Sequence, residues 1–290
     1  MPELPEVETV KRGLVKRIIG KTIKSVDFDW LKSFPNSPEE VEQFLISVKI
    51  TTIRRRAKIL IIDLDSDYSL LIHLKMTGQL VYVGADRFGA GHPSDSLIGN
   101  LPDRSTRVTF EFSDNSQLFF NDQRKFGWVK LIPTAAIKDL VFFQNVGPEP
   151  LLSDFTAKEF VPRIRRRANT SIKAAILDQT VLAGVGNIYA DESLFAAEIH
   201  PARLVKNISD DELGRLLQEI KAVMSLSIEK GGSSDRNYVN AEGKKGSYIS
   251  FAKVFRKENT PCQVCGTTII KTKVAARGTH ICPNCQRLKK

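Results

Sequence analysis

The absences narrow this chain first. Nowhere in its 290 residues does an apolar run approach the ~18 residues of a bilayer-spanning helix. Charged residues interrupt the stretch from Glu3 to Arg17, where a secretory leader would carry its apolar core, so an intracellular protein is expected. No stretch repeats internally, which removes solenoids and other repeat arrays. Cysteine is scarce, with all four confined to the end of the chain after Ala252. Acidic residues are outnumbered, 33 Asp and Glu against 43 Lys and Arg, for a formal charge of +10. That deficit favours an anionic partner, with nucleic acid ahead of a membrane surface, because no long basic amphipathic helix with bulky apolar residues opposite is apparent. The hydrophobic share is 42 %, which supports a packed core and excludes a disordered chain.

The chain opens on "MPELPEVETV". Val7, Val10, Leu14 and Ile18 recur at helical spacing, Gly20 can end the run, and proline and glutamate both suit a helix start. "KTIKSVDFDW" then alternates as a strand, and "SPEEVEQFLISV" reads as a short helix with Ser37 or Pro38 near its start. From Ile50 to Ile132 short apolar or alternating runs predict strands, with "SDNS" at 113–116 as a hairpin turn, the pattern of a sandwich or barrel. Residues 84–105, rich in Gly, Pro, Asp and Ser, read as a long surface loop. "NVGPEPL" breaks the pattern, and helical spacing resumes from Asp154 to about Ile228. The run Arg163 to Arg167 reads as a solvated helix face. "GGSSDRNYVNAEGKKGSY" is a polar loop.

The cysteines form two C-x2-C pairs, Cys262 with Cys265 and Cys282 with Cys285, separated by sixteen residues (266–281). This is the spacing of a four-cysteine zinc site, and a site filled by four protein ligands is structural. Two disulfides or a redox pair are the other reading, and an intracellular setting disfavours disulfides. The alternation between the pairs predicts a β-hairpin, with Arg277, Gly278 and Thr279 near its return strand.

The N-terminus carries chemistry beyond a helix start. Methionine is commonly removed before a small residue, which would leave Pro2 as a secondary amine. An α-amino group has a pKa of about 7.7–8.0, so free base exists near neutral pH. Such an amine attacks the masked aldehyde at a deoxyribose C1′ and forms an iminium ion that eases elimination. A neighbouring carboxylic acid, Glu3, can donate the proton that opens the sugar ring.

"PELPEVETV" resembles the N-terminal signature of the bacterial formamidopyrimidine-DNA glycosylases. "RRRAKILII", "HLKMTGQL", "DQRKFG", "LDQTVLAGVGNIYADESLFAAEIHPAR" and "RGTHICPNCQ" resemble further motifs of that family, in family order, from residue 2 to 286. The resemblance implies an α+β, two-domain fold: an N-terminal β-sandwich with an N-terminal helix, and a helical helix–two-turn–helix domain with a four-cysteine zinc finger. The corresponding boundaries are 2–133, a linker at 134–153, 154–251, and 252–290. It implies base-excision repair of double-stranded DNA in a bacterial cytoplasm, by a monomer holding one structural zinc ion.

By the same resemblance Pro2 is the nucleophile, Glu3 the general acid, Glu6 a supporting carboxylate, and Lys58 a contact to the phosphates around the lesion. His73 and Asn187 meet phosphates, the latter with Arg277 of the finger. Met76, Arg124 and Phe126 fill the gap left by the extruded base, which fits the need to offset lost stacking when a base is flipped. The polar loop containing Asn237 would cover the flipped base. Cys262, Cys265, Cys282 and Cys285 are the metal ligands.

The chain also departs from the family pattern. Residues 84–105 are longer than the usual linker and lack a histidine pair, "VFRKENTPC" replaces a tyrosine–glycine–arginine approach to the finger, and Asn237 stands where aspartate is common. Two other readings compete with an oxidised-purine glycosylase and lyase. One is an endonuclease VIII-like enzyme for oxidised pyrimidines, disfavoured by Leu4, where those relatives carry glycine. The other is a DNA-binding module without catalysis, disfavoured by the intact Pro2, Glu3 and Lys58.

Overall fold

The computed structural model of the chain describes residues 2–232 and 248–288. Met1 and the segment 233–247, which holds most of the proposed base-cover loop and Asn237, lie outside the described residues. The described chain divides into two compact units, residues 2–144 with 230–232, and residues 145–229 with 248–288.

The first unit is built on helices α1 (Leu4–Ile18), α2 (Pro38–Phe44) and α3 (Val141–Asn145) and nine strands. These are β1 (Ile23–Phe28), β2 (Ile50–Arg56), β3 (Ile59–Leu64), β4 (Tyr68–His73), β5 (Gly78–Val83), β6 (Arg87–Gly91), β7 (Thr106–Phe112), β8 (Gln117–Asp122) and β9 (Trp128–Pro133). They form two antiparallel sheets, ordered β1-β7-β8-β5-β6 and β2-β3-β4-β9. Leu60, Ile62, Leu70 and Ile72 from the smaller sheet share one apolar core with Leu80, Phe110, Leu118 and Phe120 from the larger, and Val7, Val10 and Leu14 of α1 join it. Each such side chain contributes about 1.5–3 kcal/mol through burial. The reverse face of the smaller sheet is also covered, since Ile59, Ile61 and Leu71 pack with Ile137, Phe142 and Phe143. Double coverage explains why "ILII" at 59–62 is apolar throughout instead of alternating.

Helix α1 starts on a reciprocal cap. Glu3 is the N-cap, and its backbone N–H donates to the Glu6 carboxylate at 2.7 Å. Gly13 lets the helix approach β6, because a Cβ there would sit 1.9 Å from the Phe88 ring. The predicted hairpin turn at 113–116 is present, with Asn115 at φ 64°.

Two expectations are corrected here. Residues 84–105 are not wholly loop: they contain edge strand β6, whose Phe88 and Ala90 enter the core, followed by a short 3-10 turn at Asp95–Leu97. Glycines at 89 and 91 hid that alternation. Beneath them Asp103 accepts from Ser105 N–H and from the hydroxyls of Ser96 and Ser105, and these bonds hold its carboxyl below the usual range against the opposing cost of its burial. The arginines at 163–167 are not a merely solvated face either. Arg163 donates to the Thr180 carbonyl, Arg165 to the carbonyls of Val205 and Ile208, and Arg167 to Asp178. They tie α4 and the residues after it to the loops at 178–180 and 205–208.

The second unit contains α4 (Ala157–Arg165), α5 (Ile172–Leu177), α6 (Asn187–Ala196), α7 (Asp210–Glu229) and the hairpin β10 (Ile270–Val274) with β11 (Arg277–Ile281). Helix α6 is central and packs against α5, α7 and β11. It is buried from Tyr189 to Phe195, acids included. The finger's own core is small: Phe195, Val254, Cys262, Ile269 and Cys282.

Candidate active site and nucleic-acid interface

Pro2, Glu3 and Glu6 all lie buried at the start of α1. Gly232, where the described chain pauses, passes directly over Glu6, with a Cβ position 3.3 Å from that side chain's Cγ and Oε1. Lys58 sits in the two-residue turn between β2 and β3, after Ala57 at φ 52°, and is 8 % exposed. It is therefore not a solvated strand end. Its turn is tethered to α1. Arg55 donates to the Ala57 carbonyl at 3.0 Å and to Glu8 of α1 at 2.9 Å, and Glu8 also meets Lys11 and Arg12. These cations hold the Glu8 carboxyl below its ordinary pKa although burial opposes them.

His73 closes β4. Burial, reinforced by the charges of Lys75 and Lys58, pushes its pKa down to about 3. The ring is thus neutral at physiological pH. Its Nδ1 accepts from the Lys75 backbone N–H at 2.9 Å, which leaves the proton on Nε2 as a hydrogen-bond donor.

Met76, Arg124 and Phe126 occupy two neighbouring loops that follow β4 and β8. Met76 is 37 % and Phe126 53 % exposed, high for apolar side chains, and the Arg124 guanidinium lies 4.7 Å above the Phe126 ring. Each loop contains a lysine in the left-handed region, Lys75 at φ 49° and Lys125 at φ 58°. Such residues cost about 1–2 kcal/mol each and persist only where the surroundings enforce them. The group that fastens the two loops is Asp122, fully buried, a residue that the sequence analysis did not single out. Its carboxylate accepts from the backbone N–H of Arg124 (3.2 Å), Phe126 (2.8 Å) and Gly127 (2.6 Å) and from the Thr77 hydroxyl.

In the second unit, Asn187 begins α6, whose first-turn N–H groups form an anion-receptive end. Its amide donates to the Gly278 carbonyl at 3.1 Å, beside Arg277, which is exposed. The structure thus brings Asn187 and the Arg277 turn together. A buried lysine secures the same turn: Lys173 Nζ reaches Gly278 O (3.0 Å), Thr279 Oγ1 (2.8 Å) and Asp191 (2.6 Å), while Asp191 also accepts from His280 N (3.0 Å). Glu192 receives three consecutive backbone N–H groups, of Lys253, Val254 and Phe255, at 2.7–2.9 Å. Desolvation raises its pKa despite those donors. The altered approach "VFRKENTPC" is therefore firmly anchored, with Val254 in the finger core. Neither Lys173, Asp191 nor Glu192 was legible as functional in the sequence.

The four cysteine sulfurs lie within 4.8 Å of one another, and three of their pairs stand 3.4–3.9 Å apart. A tetrahedron with zinc–sulfur bonds of about 2.3 Å has edges of about 3.8 Å, so the ligand set fits zinc. The site is closed and supplies structure, not catalysis. Among the described residues no helix is long and apolar enough to cross a membrane.

A β-sandwich whose first helix opens on buried Pro2 and Glu3, in a chain that continues into a helical unit with a four-cysteine finger, is the architecture that the sequence resemblance implies for a class of glycosylases that attack damaged DNA. Comparison with known proteins agrees over the whole chain. Residues 1–129 match the formamidopyrimidine-DNA glycosylase N-terminal domain, 146–238 its H2TH domain, and 260–288 the zinc finger found in FPG and IleRS. The formamidopyrimidine-DNA glycosylase of Cytobacillus firmus is 40 % identical over 288 residues, covering 99 % of this chain and 100 % of the relative. That of Pelotomaculum thermopropionicum is 40 % identical over 291 residues, with full coverage of both. The Lactococcus lactis Fpg in complex with DNA containing an abasic site aligns with a TM-score of 0.87 at 35 % identity, over 98 % of this chain and 99 % of that one. A MutM complex with DNA containing carbocyclic 8-oxo-G gives 0.86 at 35 %, over 99 % and 100 %. The chain belongs to the formamidopyrimidine-DNA glycosylase family. It is a base-excision repair glycosylase and lyase for oxidised purines, with a structural zinc finger.

Proposed function

We propose that the chemistry runs through Pro2 and Glu3. The Pro2 nitrogen attacks C1′ of the damaged nucleotide, the glycosidic bond breaks, and the base departs with a proton. Glu3 protonates the ring oxygen as it opens, and the resulting iminium accepts the electrons of successive eliminations that release the 3′ and then the 5′ phosphate. The observation that carries this reading is the burial of Pro2 and Glu3 together at the cap of α1. Glu6, against Gly232, supports the acid and borders the place of the excised base.

The DNA is double-stranded and carries oxidised bases or abasic sites. Lys58 and the Nε2–H of His73 grip phosphates beside the lesion, and Asn187 with Arg277 grips the backbone from the second unit. Met76, Arg124 and Phe126 enter the duplex where the base leaves, with Arg124 addressing the orphaned cytosine. The domains are 2–133 for catalysis, a linker at 134–153, the helix–two-turn–helix domain at 154–251, and the finger at 252–290. The enzyme acts as a monomer in the bacterial cytoplasm, at the nucleoid.

Borohydride trapping on a duplex with 8-oxoguanine opposite cytosine tests the proposal. An adduct mapped to the peptide starting at Pro2 is expected. Trapping on an abasic duplex alone would remove the oxidised-purine assignment, and no adduct on either would leave a binding module.

A further inference from the structure

We propose that Asp122 is a positioning residue that holds both plug loops as one preformed wedge, so that recognition of the base opposite the lesion depends on it. The inference rests on the reading of Met76, Arg124 and Phe126 as the plug. Asp122 itself touches no DNA, being fully buried. One oxygen takes the N–H of Phe126 and of Gly127, and the other takes the N–H of Arg124 and the Thr77 hydroxyl. Thr77 in turn accepts from Arg124 N–H at 3.1 Å, so a single carboxylate joins the Met76 loop to the Arg124–Phe126 loop. Both loops carry a lysine forced to positive φ immediately before a plug residue, Lys75 before Met76 and Lys125 before Phe126. Neither conformation is one that a free loop would choose. The backbone of Asp122 is fixed as well. Ser105 O accepts from Asp122 N–H at 2.7 Å, and Arg107 Nε donates to the Asp122 carbonyl at 3.0 Å. Space around Gly127 is closed, because a Cβ there would meet the Phe120 ring at 2.6 Å and Asp122 Oδ2 at 3.1 Å. The loops therefore have little room to relax by sliding, and their shape is set by what Asp122 accepts. A wedge ordered before DNA arrives loses less freedom on insertion than one that must order as it enters.

The test compares Asp122→Asn and Thr77→Val with Arg124→Ala and Phe126→Ala in single-turnover excision of 8-oxoguanine opposite cytosine and opposite adenine. Cleavage of an abasic duplex and zinc content are measured alongside. Asp122→Asn replaces one acceptor oxygen with a donor. It is expected to slow excision opposite cytosine by about tenfold to a hundredfold and to narrow the cytosine-over-adenine preference, while abasic cleavage, which needs no base extruded, falls far less. Thr77→Val, which removes only the bridge between the loops, should shift the preference the same way by a smaller factor. Equal loss of excision and abasic cleavage in both variants would mean a general structural role and overturn the proposal. Retained preference in Asp122→Asn, with loss in Arg124→Ala, would overturn it while sparing the plug. Retained preference in Arg124→Ala and Phe126→Ala would remove the plug reading and the proposal with it.

Discussion

The two units hold their functional groups by different means. In the sandwich, Lys58, His73 and the plug loops hang from strands whose apolar faces meet in a large core, and the polar contacts add precision to a frame that stands without them. In the second unit the finger has five core residues, and its Arg277 turn is positioned instead by a buried ion pair, Lys173 with Asp191, while Glu192 holds the approach at 253–255. Small apolar cores need such staples. The contrast teaches that the sandwich should tolerate loss of a polar contact with altered chemistry, whereas the second unit should lose structure.

The largest effect should be purely chemical. Glu3→Gln keeps the size of the side chain but removes the acid. Base excision should fall by about 10²–10⁴-fold in single-turnover assays while DNA affinity persists; unchanged excision would sink the assignment of Glu3. Cys282→Ser, or chelation of the metal, should do the reverse. With the finger unfolded, the proposed Arg277 phosphate contact would be lost, and affinity for an abasic analogue should weaken by about tenfold to a hundredfold, the worth of one charged hydrogen bond. Both tryptophans, Trp30 and Trp128, belong to the sandwich, so their emission should not move on chelation. A coincident tryptophan change would break the comparison.

Lys173→Met should cost about 3–5 kcal/mol, because it leaves the Asp191 charge buried without its cation. Calorimetry should show that loss in the second unit, and adding Asp191→Asn should restore part of it. The sandwich offers a smaller, pH-dependent counterpart. His73 has a pKa of about 3 in the fold and about 6.5 when unfolded, so below pH 6.5 the unfolded state binds more protons. Stability should therefore fall as pH drops from 6.5 towards 3. The share due to His73 should approach about 1.4 kcal/mol per pH unit, seen as a shallower slope of urea midpoint against pH in His73→Gln. Equal slopes in the two proteins would remove the neutral buried histidine.

The smallest effect is a gain. Ala275 and Ala276 both lie at positive φ (49° and 59°) in the two-residue turn between β10 and β11, a geometry that favours Asn-Gly. Replacing them with Asn and Gly should stabilise the finger by about 1–2 kcal/mol, read as a higher urea midpoint for its unfolding. No gain, or a loss, would mean that the alanines are held there by contacts of their own.

Much of this was legible in order but not in depth. Apolar runs located the strands, the cysteine spacing located the finger, and the N-terminal proline and glutamate suggested the amine and acid proposed above. Strand β6 escaped because Gly89 and Gly91 interrupt its alternation, and only Phe88 and Ala90 reveal an inward face. Asp191 and Glu192 escaped for another reason. They lie within the helical stretch "NIYADESLFAAEI", which by itself does not mark them, yet each meets donors 61 to 89 residues away. Periodicity reports which residues avoid water, not which charges find distant partners. Asp122 was hidden likewise, since apart from the Thr77 hydroxyl its carboxylate meets backbone groups of any sequence.

The grip of Glu192 on residues 253–255 also ties the metal site to α6. The chain leading into the first cysteine pair hangs three amides on that carboxylate, and Phe195 on the same helix supplies the apolar floor for Cys262 and Cys282. One helix thus carries both the approach to the finger and its floor, so a change that loosens α6 is felt at the cysteines.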